Sequence, residues 1–100
     1  MKLIGVMSLE KEKDAIRKLF EKHGVQMFSE IGISGHTVST IEEYGWWPSD
    51  GDVAVYSTLC FAVISKYHAD EIMNEISKLA EAEDSVHPIR AFQVDVEKMI

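Results

Sequence analysis

One hundred residues, 46% of them apolar, are enough for one hydrophobic core and too few for two independent domains. The net charge of −7 is unevenly placed: residues 1–34 hold six Lys/Arg against five acids, residues 35–65 none against four, and residues 66–100 four against eight. A central third without a cation is a poor match for a phosphate backbone, and no stretch nears the roughly 20 apolar residues of a membrane span, so neither nucleic acid nor membrane insertion is expected and the chain reads as cytoplasmic.

Lys2 to Met7 is a short β-prone run, and Ser8 is expected to cap a helix after it. Glu10, Glu12 and Asp14 suit that helix's first turns, Ile16, Leu19, Phe20 and His23 recur along one seam, and Gly24 fits the position just past its end. His23 is expected at the half-buried edge of that seam. Val25 to Ile33 reads as a second strand, with Val25, Met27, Ile31 and Ile33 on one side. An excursion over about residues 35–52 follows, with no clear periodicity of its own, and connections of that length are commonly functional. Val53 to Ile64 is apolar throughout except for Ser57 and Thr58, as a strand buried on both faces would be. It contains the lone cysteine, Cys60, which excludes an intrachain disulfide and is expected to be buried and inert. A second helix is predicted over about 68–82, burying Ile72, Met73, Ile76, Leu79 and Ala80 and fraying at its acidic end. Ile89 to Val96 is the last strand.

This order, strand, helix, strand, strand, helix, strand, predicts an α+β fold: a ferredoxin-like βαββαβ sandwich in which two helices cover one face of a four-stranded antiparallel sheet. Right-handed crossovers place strands one and three at the centre, read as parallel. Two helices cover one face only, yet the central strands are apolar toward both, so a homo-oligomer that covers the other face is expected.

With the elements placed, the chain resembles the PII-like group of trimeric signal-transduction proteins over nearly its whole length, as a single domain of residues 1–100. The resemblance is carried by Ala15-Ile-Arg-Lys-Leu-Phe-Glu-Lys-His-Gly-Val25, by Gly35-His36-Thr37 after Ser29-Glu-Ile, by Val63-Ile-Ser with Ala69 to Ile76, and by Arg90 to Glu97. It implies a non-enzymatic homotrimer that senses a small ligand in its intersubunit clefts, with Gly35, His36, Thr37 and Arg90 as candidate ligand residues. It further implies a central loop that contacts a partner protein, such as a transporter, for which Tyr44, Trp46 and Trp47 are the candidates. Nucleotide-binding members cradle ATP or ADP with a loop of Thr-Gly-x-x-Gly-Asp-Gly-Lys type. The corresponding segment here reads Ala82-Glu-Asp-Ser-Val-His-Pro-Ile-Arg90, without a glycine and with Pro88 lacking an N–H. ATP or ADP is therefore expected to bind weakly or not at all.

The alternative is a divalent-metal-binding trimer similar to the divalent-cation-tolerance proteins, using His36, Glu42, Glu43 and His87, with Asp50, Asp52 and Asp84 as further acids. Imidazole with carboxylates suits zinc, copper or nickel, although no pair has the spacing of a dedicated site. The sequence carries no paired-histidine helix, nucleophile elbow or P-loop, so enzymatic activity is not expected.

Overall fold

The computed structural model describes residues 1–35, 55–82 and 89–100. Strand β1 (Lys2–Leu9) leads through a 3-10 turn (Glu10–Glu12) into helix α1 (Lys13–Lys22) and strand β2 (Ser29–Gly35). Strand β3 (Val55–Ile64), helix α2 (Lys66–Ala82) and strand β4 (Arg90–Asp95) complete the order. The strands lie side by side as β2-β3-β1-β4, and every pairing is antiparallel. The expected parallel run of strands one and three is thus corrected. The strands joined through α1 are β1 and β2, and β3 inserts between them in the opposite direction.

Cross-strand partners share a face, so the register sorts the side chains. Ile4 opposite Ala62 and Val6 opposite Cys60 face the helices and form one buried cluster with Ile16, Leu19 and Phe20 of α1 and Ile72 and Ile76 of α2. The opposite face carries Leu3, Met7 and Leu9 of β1, Ile31 and Ile33 of β2, Leu59, Phe61 and Val63 of β3, and Phe92 and Val94 of β4. No described element covers it, and Ile31 and Val94 are about half exposed, at 50% and 48%. At Gly5, between Phe61 and Phe92 on this face, a β-carbon would be driven into the ring of Phe92; glycine lets the ring lie across the backbone.

The helix ends differ from expectation at the start and agree at the finish. Ser8 is not a cap: it stays in the β1 ladder opposite Thr58, buried, and α1 begins after the 3-10 turn without a side-chain cap. The capping serine is Ser65, whose Oγ accepts from the His68 N–H at 3.3 Å while its carbonyl accepts the first helical bond of α2 from Ala69. Gly24 does close α1, at φ 75°. Its N–H donates to the Glu21 carbonyl and that of Val25 to the Phe20 carbonyl, the paired bonds of a Schellman turn, with Val25 and Phe20 both buried beside it.

Three further expectations are corrected. Val25 to Phe28 is not strand, because the turn delivers Val25 into the core and leaves Met27 85% exposed; the ladder starts at Ser29. Leu79 is exposed and Ala69 takes its place in the buried stripe of α2 with Ile72 and Ile76. Glu81 remains helical, since α2 runs through Ala82. Among the described residues, no helix is long and apolar enough to cross a membrane.

Candidate ligand-binding site

Antiparallel pairing gathers four chain ends at one end of the sheet: the C-terminal ends of β1 and β2 and the N-terminal ends of β3 and β4. Gly35 pairs with Val55 there, and Arg90 with Met7. Two sequence-predicted ligand residues, distant in sequence, thus occupy the same end of one sheet. His36, Thr37, Glu42, Glu43, Tyr44, Trp46, Trp47, Asp50 and Asp52, together with Asp84 and His87, lie outside the described residues.

A cavity of about 280 Å³ opens at this end, lined by Glu10, Gly32, Ile33, Ser34, Ser57 and Thr58. Its size is near the lower bound of small-molecule clefts, roughly 300 Å³. Gly32 contributes backbone with open space where a side chain would stand. Ser57 and Thr58 are 4% and 7% exposed, and the Ser57 hydroxyl has no hydrogen-bond partner among the described residues. A buried hydroxyl is rarely left so, which makes Ser57 the polar atom that a bound molecule would satisfy. Glu10, largely exposed, reaches Lys13 at 3.6 Å. Sequence reasoning took Glu10 as a helix-dipole residue and Ser57 and Thr58 as mere interruptions of an apolar run. Two adjacent hydroxyls inside a run otherwise built for burial were the available signal.

Arg90 is exposed and is the only charged side chain that the described strands place on the helix-free face. It makes no ion pair with a described residue: Asp95, one possible partner, is taken by Lys2. A second cavity, of about 230 Å³, lies between α2 and the start of β4, with Met73, Ile76, Ser77 and Ala80 on one side and Ile89, Arg90 and Ala91 on the other.

Other charged groups are paired across elements. Arg17 of α1 grips Glu30 of β2 through Nε at 2.8 and 2.9 Å and through Nη2 at 2.6 Å, and this fork holds the Glu30 carboxyl below the usual carboxylate range. Cys60, opposite Glu30 in the ladder, is 2% exposed, and burial, with the Glu30 charge adding, pushes its thiol up to about 11. It is the inert thiol expected. Among the described residues, no three His, Cys, Asp or Glu side chains are grouped to hold a metal ion.

No protein-family model and no curated protein matches the chain by sequence. Solved structures do match by shape. One is the structure of CPII, a nitrogen regulatory PII-like protein from Thiomonas intermedia, bound to ADP, AMP and bicarbonate; the match has a TM-score of 0.64 at 15% identity and covers 99% of this chain and 94% of that one. A likeness that spans both chains almost end to end agrees with the strand order and the helix-covered face derived above. The chain therefore has a ferredoxin-like βαββαβ fold, similar to that of the PII-like protein CPII.

Proposed function

We propose that this chain is a non-enzymatic PII-like regulatory module, a homotrimer that buries its helix-free sheet faces and takes a small ligand at the end of the sheet where β1 to β4 converge. The observation that carries this reading is the apolar face that spans all four strands, with Arg90 on one edge strand and, at the same end of the sheet toward the other edge, the cavity of the Ser57 hydroxyl, which has no partner among the described residues. Each Å² of apolar surface removed from water contributes roughly 25 cal/mol, so the face is the largest available source of added stability for a chain this small. Packing faces about a threefold axis would bring Arg90 and the Gly35 end of neighbouring copies into the clefts between them. The segment that leaves β2 at Gly35 and returns at Val55, with Tyr44, Trp46 and Trp47, is then the surface offered to a partner protein. A transporter is the kind of partner the resemblance implies.

CPII, the neighbour by fold, is described with ADP, AMP and bicarbonate bound. For this chain the adenine nucleotides ATP and ADP are expected to bind weakly or not at all, because residues 82–90 supply no glycine-rich cradle and hold two acids, Glu83 and Asp84. Native mass spectrometry of protein taken gently from its source reads subunit number and any retained ligand together. A trimer with a retained small mass supports the proposal, and a ligand-free monomer at micromolar concentration overturns it. Calorimetry with ATP and ADP then tests the nucleotide statement: submicromolar affinity lost in Arg90→Ala would show that one arginine replaces the missing glycines.

A further inference from the structure

At the other end of the molecule, His23 sits between two carboxylates of a different helix. It follows Lys22 at the end of α1 and is fixed there by the Schellman turn at Gly24, with only 11% of its side chain exposed. Its Nδ1 lies 3.2 Å from Glu71 Oε2 and its Nε2 3.0 Å from Glu75 Oε1, and Glu71 and Glu75 are one turn apart on the same side of α2. Nε2 is buried and lies off the line of a good hydrogen bond, so its approach to Glu75 is a contact between charge-bearing groups. Other groups among the described residues bear on the two carboxylates. Lys22, on the α1 side, reaches Glu75 Oε1 at 2.8 Å. On α2, the Tyr67 hydroxyl bonds Glu71, and the exposed His68 adds its field to Glu71.

A neutral imidazole has one N–H and one lone pair. With a carboxylate at each nitrogen, either tautomer satisfies one and turns a lone pair on the other at about 3 Å. The imidazolium donates to Glu71 and turns a positive N–H, rather than a lone pair, toward Glu75. We propose that His23 is a proton-operated cross-link between α1 and α2, closed when the ring carries both protons and half open when it carries one.

Both carboxylates stay ionised across the histidine range, which keeps the clamp armed. Glu71 is held below the usual carboxylate range chiefly by the Tyr67 hydroxyl, and Glu75 chiefly by Lys22, with His23 helping each. The sign follows from the geometry. The folded chain gives the imidazolium two fixed acceptors, so the clamp stabilises the fold at pH values where histidine is protonated and its contribution is lost as pH rises past them. The element acted on is α2, whose Met73, Ile76, Ser77 and Ala80 wall the cavity beside Arg90.

The test compares the whole chain with its His23→Phe variant by thermal melting at several pH values, because titration of His68 and the acids outside the clamp is common to both and subtracts out. The midpoint gap in favour of the wild type should be wider at pH 5.5 than at pH 8.5 by roughly 4 °C or more, the scale of a modest stability change in a chain of this size. A gap that is constant, or wider at pH 8.5, overturns the proposal. Should His23→Phe not fold, ring nitrogen NMR of the wild type and of Glu75→Gln decides instead. His23 should lose its second ring proton at lower pH in Glu75→Gln, and an unchanged titration overturns the clamp.

Discussion

The two faces of the sheet are built from similar residues and end in different states. On the covered side Ile4, Val6, Phe20 and Ile72 are fully buried beneath two helices. On the other side Leu59, Phe61, Val63 and Phe92 are only partly covered, and Ile31 and Val94 stand about half in water. Apolar content alone therefore does not distinguish a core from a contact surface. What distinguishes them is whether the chain itself supplies the second layer. The charged groups divide in the same way: Lys2, Glu30 and Asp95 lie on the helix side of their strands with partners, whereas Arg90 stands on the bare side without one among the described residues.

The contrast is most exposed to failure through a pair of substitutions. Phe20→Ala, on the covered side, should cost about 3 to 5 kcal/mol, most of the stability of a domain this small, as read from urea unfolding. Leu59→Asp, at a position between Met7 and Ile31 on the bare side, should leave a folded chain by circular dichroism and dissociate the proposed oligomer in sedimentation. If Leu59→Asp unfolds the chain as thoroughly as Phe20→Ala, the bare face is core and the proposed assembly fails. A smaller effect, about 1 to 3 kcal/mol, is expected for Gly5→Ala, because the added methyl displaces the Phe92 ring; Phe92→Leu in the same chain should recover part of it. Absence of any loss would mean that the ring moves aside freely.

The smallest effect concerns Arg17 and Glu30. Glu30 titrates below the ordinary carboxylate range in the folded chain, so its pairing stabilises the fold above that range and is lost as pH falls through the lowered value. Arg17→Gln should therefore be less stable than wild type near neutrality, with the difference closing as the medium is acidified below the ordinary carboxylate range. A difference independent of pH would mean that Arg17 acts through the packing of its stem.

The element order, the end of α1 at Gly24 and the need for cover on one sheet face were legible, because they follow from periodicity and from what glycine alone does at positive φ. The choice between Ser8 and Ser65 as cap was not. Both precede helical patterns, and only the register with Thr58, set by a strand 50 residues away, holds Ser8 in the sheet. Val25 was misplaced for a similar reason, since the Schellman turn drives it into the core before the strand begins. At the candidate site, the placing of Gly35 and Arg90 at the same end of the sheet, on its two edge strands, is a consequence of topology and could be anticipated. That Ser57 lines a cavity with its hydroxyl unmet among the described residues could not, because a serine in an apolar strand reads the same whether its partner is backbone, a neighbour or a ligand.

Cys60 gives the folded chain a chemical signature. It is the only thiol, it sits on a central strand, and both its 2% exposure and its elevated titration, near 11, suppress the reactive thiolate. Alkylating reagents and peroxides should therefore pass the native protein by and modify it only in molecules whose sheet has opened. The rate of labelling at this one sulfur then measures how often the molecule comes apart, without any added probe.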